Sequence, residues 1–266
     1  MTETAATEDR RIVPALSNDR VCNAVATGEG RVFVGYPSAD GPGLQVAEVT
    51  AAGRRIPYPD EAWNAVLDDH EPDGAFVHVN ALRIGPDGQL DHHPSTVGGP
   101  LRADGQVLRG RDGDEIRLHA DQLEVSPDGR YLYYQPASGG LARVETRLLD
   151  DPAVPAEALA GAVEDWLATP ATGGTAIDAT GTIYLSDVDR RRILAIAPDR
   201  TVRTVAADPR LVWVDAMWID AIGELWLPAA QLNRAPGLAS RTQGVDYPTW
   251  IYRMPIGAGP APNDHG

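Results

Sequence analysis

Five segments of the sequence repeat one pattern: a short run of alternating apolar residues, a polar turn that ends in glycine, and a second apolar or aromatic run. Alternation with a period of two around a glycine turn predicts a β-hairpin, because successive side chains of a strand point to opposite faces and glycine accepts the positive φ of a tight turn. A hairpin about every 40 to 50 residues is typical of four-stranded propeller blades. The repeat therefore predicts an all-β propeller and favours it over a generic antiparallel sandwich. The turn glycines are Gly30, Gly88, Gly129, Gly181 and Gly223.

Weaker apolar runs between the hairpins would supply the remaining strands of each blade. One helix is also predicted, from Pro155 to Leu167. Its residues Leu159, Val163 and Trp166 are spaced to form a single apolar stripe, which would pack on the outer wall of the ring. The additional strands would begin at Leu44, Leu141, Ile193 and Trp250.

The sequence predicts one domain. The stretch from Val13 to Val25 would open the first blade, and Ile251 to Ile256 would close the ring. Because no linker divides the chain, we expect an N-terminal tail and first strand in residues 1–20 and a single propeller domain in residues 21–266.

Composition and charge exclude several classes of function. The 266 residues carry a formal net charge of −15, which argues against a nucleic-acid partner and against an anionic membrane surface. No apolar run reaches the roughly 18 residues of a membrane span, and the N-terminal residues lack the apolar core of a signal peptide. The single cysteine, Cys22, cannot form an internal disulfide. We therefore expect a cytoplasmic monomer whose partner is a small molecule.

Several phrases of the sequence are specific enough to indicate a family. RVFVGYPSADGPGLQVAEV, RRIPYPDEAWN and ADQLEVSPDGRYLYYQP resemble segments of the bacterial branch of the major royal jelly protein/yellow family. The resemblance runs from about Val21 to the Asn-Asp-His near the C-terminus. It implies a six-bladed propeller related in architecture to the gluconolactonase-like, or TolB-like, propellers.

The chain departs from this family pattern after Leu90. Relatives continue there into a tryptophan-containing strand and a further hairpin, whereas here Asp91-His92-His93 follows directly. About one blade is therefore missing by this comparison, which leaves a five-bladed ring and a disrupted six-bladed ring as alternatives. We expect the segment from Asp91 to Arg117 to be the most irregular and most exposed part of the propeller wall.

The phase of the repeat selects candidate site residues. Innermost strands of a propeller begin near one end of the central channel, so side chains at equivalent positions should converge there. The position eight residues before each turn glycine holds Cys22, Asn80, Asp121, Gly173 or Asp215, and Asn23 and Thr172 lie one residue from such positions.

A ring of Asn and Asp oxygens suits a hard cation such as Ca²⁺ or another divalent ion, with Asp121, Asp215 and Asn80 as ligands. It also suits a polar ligand, which Asn23, Asn80, Thr172 and Asp215 would bind and which the ring of Trp213 would face. The alternative is structural: the same groups would hydrogen-bond neighbouring blades.

His119 and Asp121 are the predicted catalytic residues. They lie two positions apart, so alternation places both side chains on one side of the strand, and histidine titrates near neutral pH. A hydrogen-bonded structural role for His119 stays open. The Asp91-His92-His93 run, Asp187 and Asp189 are interpreted as structural, and Cys22 has no basic partner in sequence that would activate a thiolate.

These residues support three hypotheses about function. The first is an isomerase, tautomerase or hydrolase that acts on a small molecule at the channel mouth, as the family resemblance suggests. The second is a propeller that binds a small ligand without turnover, and a remnant whose missing blade has removed the ancestral site is a separate possibility. The third is a metal-dependent lactone hydrolase like gluconolactonase, which the lack of a glutamate beside Cys22 on the first inner strand argues against.

Overall fold

The structure is a computed structural model that describes residues 12–17, 19–28, 30–37, 43–62, 64, 98–110, 112–118, 120–151, 153–235, 238 and 244–262. Asn80, Gly88, the Asp91-His92-His93 run and His119 lie outside the described residues. The elements are β1 (Ile12–Ser17), β2 (Ala24–Gly28), β3 (Arg31–Gly35), β4 (Val46–Val49), β5 (Arg55–Pro57), β6 (Arg102–Ala103), β7 (Gln106–Val107), β8 (Ala120–Val125), β9 (Tyr131–Pro136), β10 (Leu141–Glu145), α1 (Thr146–Leu149), α2 (Ala156–Ala162), β11 (Glu164–Leu167), β12 (Thr175–Ile177), β13 (Ile183–Asp187), β14 (Arg192–Ile196), β15 (Val202–Ala207), β16 (Trp218–Ile219), β17 (Glu224–Ala229), a 3-10 turn (Leu232–Arg234) and β18 (Thr249–Pro255).

Four separate antiparallel sheets, each of four strands, make up most of the described chain. Their strand orders are β2-β3-β4-β5, β8-β9-β10-β11, β12-β13-β14-β15 and β16-β17-β18-β1, and in this order they are called the first, second, third and fourth blades below. The inner strands of two neighbouring sheets touch through a parallel bridge between Ala24 and Ala216. Four sheets built as up-and-down meanders are propeller blades and not the two layers of a sandwich, so the predicted all-β propeller is confirmed.

Four of the five predicted glycine turns lie in described hairpins. Gly30, Gly129, Gly181 and Gly223 have φ between 69° and 81°, the left-handed region that glycine enters without steric cost. In the last hairpin Asp220 Oδ1 accepts hydrogen bonds from the backbone N–H groups of Ile222 at 3.0 Å and Glu224 at 2.9 Å. The aspartate three residues before the glycine therefore fixes the turn, which explains part of the repeated sequence pattern.

The last sheet is closed by the first strand of the chain. β1 is its outer strand and pairs with β18, with Ile12 opposite Tyr252 and Ser17 opposite Thr249. The stretch from Val13 to Val25 is predicted to open the first blade, and this is wrong for its first half, which forms β1 in the last sheet. The strands β16, β17 and β18 supply only three strands of that sheet, and β1 is the fourth. The first sheet begins at Ala24.

The predicted helix from Pro155 to Leu167 is too long. The helix α2 ends at Ala162, and the next residue, Val163, has an extended backbone with φ −69° and ψ 129°. Trp166 instead lies in β11, where it is buried and packs against Tyr133 with ring centroids 5.0 Å apart. Burial of a large aromatic side chain within the sheet outweighs the helical spacing that the sequence offers.

The hydrophobic core lies between the sheets. Each sheet packs its apolar side chains against those of the next, and full burial of one such side chain contributes about 1.5–3 kcal/mol. Representative buried pairs are Ile193 and Leu225, Leu185 and Tyr133, and Val34 and Trp226.

Residues 98–110 and 112–118, called the cap below, lie across one end of these sheets. Regular structure in the described part of the cap is limited to the two-residue strands β6 and β7 and a bridge between Arg109 and Glu115. Leu101 and Leu108 are buried in one cluster with Trp213. The other residues of this cluster that belong to the blades lie just before the innermost strand of a blade or just after its second strand. The described part of the predicted seam is thus irregular, but its apolar side chains are buried, since they cover the apolar ends of the blades.

Polar contacts anchor the cap to the ring. Asp104 accepts a hydrogen bond from Arg191 Nε at 2.7 Å and one from Asn233 Nδ2 at 3.1 Å. The backbone N–H of Gly105 donates to Asp189 Oδ1 at 2.6 Å, which gives Asp189 a structural contact. Within the described residues, no helix is long and apolar enough to cross a membrane.

Candidate functional site

Asp121 occupies a β-bulge at the start of the inner strand β8. Ala120 pairs with Pro136 and Gln122 pairs with Gln135, so Asp121 is one residue more than the partner strand β9 can match. A bulge of this kind redirects a side chain away from the alternation of a regular strand and is common beside active sites. The Asp121 side chain remains accessible to solvent.

The bulge allows Asp121 and its neighbour Gln122 to interact. In a regular strand, consecutive side chains point to opposite faces and cannot bond to each other. Here Gln122 Nε2 donates to Asp121 Oδ2 at 2.7 Å and lies 3.3 Å from the carbonyl oxygen of Gly173, at the start of the next blade. The glutamine therefore links the carboxylate to the neighbouring inner strand.

Gly173 allows the third blade to approach the fourth closely. A Cβ atom at this position would lie 2.5 Å from the carbonyl oxygen of Val214 and 3.0 Å from Trp213 Nε1. Glycine is thus required here for space. Because the third blade presents no side chain at this position, the carboxyl groups of the second and fourth blades can approach each other.

Asp215 is the carboxyl group on the far side of Gly173. Its Oδ1 accepts a hydrogen bond from the backbone N–H of Ala216 at 2.8 Å, and its Oδ2 accepts one from Trp213 Nε1 at 3.2 Å. Trp213 itself has φ 49°, a left-handed backbone that costs a non-glycine residue about 1–3 kcal/mol and persists only where the surroundings hold it.

The two carboxyl groups interact electrostatically. Burial, and then the charge of Asp121, raise the pKa of Asp215 well above its ordinary value, although the Ala216 N–H and the Trp213 indole act in the opposite direction. Burial also raises the pKa of Asp121, because the surrounding protein reduces the hydration of a side chain that water still reaches. Of the two carboxyl groups, Asp215 is the one that retains its proton to higher pH.

Asn23 and Thr172, two predicted ligand-binding residues, are buried. Thr172 Oγ1 donates to the carbonyl oxygen of Gly174 at 2.9 Å and lies 3.2 Å from Ser186 Oγ, so its hydroxyl serves contacts within the blade. The backbone N–H of Asn23 donates to the carbonyl oxygen of Gly35 at 3.1 Å. Ligand binding by the side chains of Asn23 and Thr172 stays a prediction.

Trp213 and Cys22 lie near Asp215, and both are buried. Trp213 is 3% exposed because the cap covers it, and its indole N–H donates a hydrogen bond to Asp215; contact of its ring with a planar ligand stays a prediction. Burial raises the pKa of the Cys22 thiol to about 12, and the nearby charge of Asp215 acts in the same direction. Cys22 therefore remains a thiol and is no nucleophile.

Of the predicted ring, the structure brings together Asp121 and Asp215, with Cys22 beside Asp215. Asn80 and His119 lie outside the described residues. Sequence reasoning missed Gln122, since nothing in the repeat distinguishes this residue and its contact depends on a bulge that only strand pairing reveals.

The predicted cation site is described only in part, because Asn80 lies outside the described residues. Among them, no group of three or more His, Cys, Asp or Glu side chains is placed to hold a metal ion. Calcium requires about six to eight oxygen ligands, whereas both oxygens of Asp215 already accept N–H hydrogen bonds.

Comparisons with known proteins agree with the fold. Regucalcin from Agrobacterium tumefaciens, a calcium-binding protein, is similar over 94% of both chains, with 12% identity and a TM-score of 0.50. Virginiamycin B lyase from Staphylococcus aureus is 12% identical, with 94% of this chain and 89% of the other covered and a TM-score of 0.41. Gluconolactonase from Xanthomonas campestris is 14% identical, with 87% and 71% covered and a TM-score of 0.40.

The similarity to regucalcin, at 12% identity, shows the fold and no activity. A comparison with curated protein sequences gives no match. The family model described as major royal jelly protein matches residues 93–253, a shorter range than the predicted one from about Val21. This match spans more than half of the sequence, and the chain therefore belongs to the major royal jelly protein family.

Proposed function

We propose that the protein is a small-molecule isomerase or tautomerase in which Asp121 and Asp215 handle one proton at the end of the propeller channel. The observation that carries this proposal is the pair of neighbouring carboxyl groups, one accessible and one buried, whose pKa values are both raised. Pairs of titratable groups whose surroundings give them different pKa values are typical of acid–base sites.

The accessible member of the pair is the base. At a pH where Asp215 retains its proton and Asp121 is ionised, the Asp121 carboxylate takes a proton from a C–H or O–H bond of the bound substrate. The electron pair that remains on the substrate is shared between the carbon next to the carbonyl group and the carbonyl oxygen, which gives an enolate. Asp121 then returns the proton to a second atom of the same molecule, so the product is an isomer and no further reactant is consumed.

The buried member of the pair supports this step by remaining neutral. An ionised Asp215 would oppose the negative charge that develops on the substrate oxygen, whereas a protonated Asp215 does not. Trp213 and the Ala216 N–H fix its orientation through their hydrogen bonds. Asp215 is thus a positioning and electrostatic residue, and Asp121 is the catalytic one.

The second candidate is a metal-dependent lactone hydrolase, which the closeness of two carboxyl groups favours. Regucalcin, whose fold is similar, is a calcium-binding protein. Because the described residues offer too few ligands, this candidate requires oxygens from outside them, with Asn80 as the predicted one. A Ca²⁺-dependent increase in melting temperature that Asp121→Asn abolishes would favour it over the isomerase.

Proton exchange in D₂O tests the isomerase without knowledge of the natural substrate. A panel of enolisable ketones and 2-oxo acids is incubated with the protein, and NMR follows loss of the proton next to the carbonyl. We expect Asp121→Asn to reduce the rate by about 10²–10⁴-fold, the usual contribution of general acid–base catalysis.

The matched control is Asp165→Asn. Asp165 is an exposed aspartate on the outer strand β11, and its replacement should leave exchange unchanged. Equal exchange by wild type and Asp121→Asn would contradict the proposal. Saturable binding of a panel compound without any exchange would favour the ligand-binding alternative.

A further inference from the structure

We propose that Gln122 is the positioning residue of the site: its side-chain amide fixes the direction of the Asp121 carboxylate and ties it to the third blade. This inference rests on the proposed function for its catalytic consequence. The structural claim concerns the contact between the two side chains and stands apart from turnover.

The orientation of the Gln122 amide follows from its two neighbours. Nε2 lies 2.7 Å from Asp121 Oδ2 and 3.3 Å from the Gly173 carbonyl oxygen. Both neighbours are acceptors, so the NH₂ group must face them; a flipped amide would place its oxygen against two other oxygens. Both N–H bonds of the amide are thereby used.

Burial makes this contact specific. Gln122 is 8% exposed, so water does not compete freely for its amide. If the buried amide lost either acceptor, one of its N–H groups would be left without a hydrogen bond, at a free-energy cost comparable with that of the bond. This cost opposes rotation of the Gln122 side chain. The Asp121 carboxylate, which water reaches, is therefore held from its buried side.

The bulge and the glutamine depend on each other. The bulge allows adjacent side chains to meet, and the amide in turn occupies the carboxylate oxygen nearest the ring. The partner across the ladder, Gln135, is engaged elsewhere, because its Oε1 accepts a hydrogen bond from Thr169 Oγ1 at 2.7 Å. Two buried glutamines thus lie opposite each other, and of the two only Gln122 contacts the carboxyl pair in the described part of the chain.

The amide also affects ionisation of Asp121. A donor to a carboxylate favours its charged form and so opposes the effect of burial. Without this donor, the pKa of Asp121 should rise further, and the acid limb of the activity profile should move to higher pH with it.

Gln122→Met tests this role, because methionine has a similar length and no donor. We expect the pKa of Asp121, measured by NMR on carbon-labelled aspartate, to rise by about one pH unit. At a pH between the pKa of Asp121 and that of Asp215, the kcat for proton exchange should fall about tenfold, with KM changed less than twofold. Gln135→Met is the control: it removes an equally buried glutamine from the opposite strand and should leave the pKa of Asp121 unchanged.

A measurement on wild type does not depend on whether the variant folds. The Gln122 side-chain amide protons should be protected from solvent exchange, and their chemical shifts should titrate with the pKa of Asp121. Amide signals that do not follow this titration, or the same pKa for Asp121 in wild type and Gln122→Met, would overturn the inference. Coupled titration in a protein that catalyses no exchange would support the inference and reject the proposed isomerase.

Discussion

Replacement of Gly173 by alanine tests the close approach of blades that brings the two carboxyl groups together. The new Cβ would lie 2.5 Å from the Val214 carbonyl oxygen and 3.0 Å from Trp213 Nε1, where ordinary contacts are 3.4–4 Å. The neighbouring inner strands must separate by several tenths of an ångström or more. Since Gly173 does not have a positive φ, this lack of space is the whole effect of the substitution.

The expected cost follows from two contributions. Overpacking of a tight contact costs about 1–3 kcal/mol, and weakening of the Trp213 hydrogen bond to a buried carboxyl group adds about 1–3 kcal/mol. We therefore expect Gly173→Ala to lower the free energy of unfolding in urea by about 2–6 kcal/mol. The pKa of Asp215 should rise as well, because the Trp213 indole favours its ionised form.

Gly161→Ala provides the matched control. Gly161 lies in α2, and a Cβ there would meet nothing within 4 Å. Alanine at a helical position should stabilise the protein by up to about 1 kcal/mol. If both variants unfold at the same urea concentration as wild type, with an unchanged titration of Asp215, the argument from space is wrong.

Three further predictions concern pH, a turn and the cap. The pKa of Asp215 is higher in the folded than in the unfolded chain, so the free energy of unfolding should decrease as the pH rises from about 4 through the folded pKa, and Asp215→Asn should reduce this slope in urea titrations at several pH values, with Asp121 supplying the remainder. Asp220→Ala should cost about 2–4 kcal/mol by thermal or urea unfolding, because it leaves the buried indole N–H of Trp226, now 2.8 Å from Asp220 Oδ2, without its acceptor; a loss below roughly 0.5 kcal/mol, the size of a surface effect, would contradict this. Asp104→Ala should increase amide hydrogen exchange in the cap severalfold while exchange in β12–β15 stays unchanged, and a double-mutant cycle with Arg191 should give about 0.5–1.5 kcal/mol of coupling.

Local patterns made much of the fold predictable. The hairpins at Gly129, Gly181 and Gly223 depend on alternation and on a glycine with positive φ, both of which lie within about ten residues of sequence. The phase of the same repeat also selected Asp121 and Asp215, because equivalent positions on inner strands meet at one end of a ring.

Other features depend on partners that are distant in sequence. The bulge at Asp121 exists only in its pairing with β9, so the role of Gln122 could not be inferred from spacing. Trp166 follows a helical stripe in sequence, but its burial against Tyr133 requires a strand. The burial of Trp213 depends on a cap that comes from a segment about 100 residues earlier, which no local pattern shows.

The pairing of β1 with β18 determines how the ring responds to mechanical force. Antiparallel pairing places Ile12 opposite Tyr252, so β1 begins and β18 ends at the same side of the sheet, and beyond β18 the chain is bound to the neighbouring sheet by a bridge between Pro260 and Asp178. A load that pulls the start of β1 away from the end of β18 acts on one backbone hydrogen bond at a time, which unzips the pair instead of shearing it. The closing sheet should therefore open at low force, before the other described sheets, and a single-molecule pulling trace with one handle at the end of β18 should begin with the release of β1.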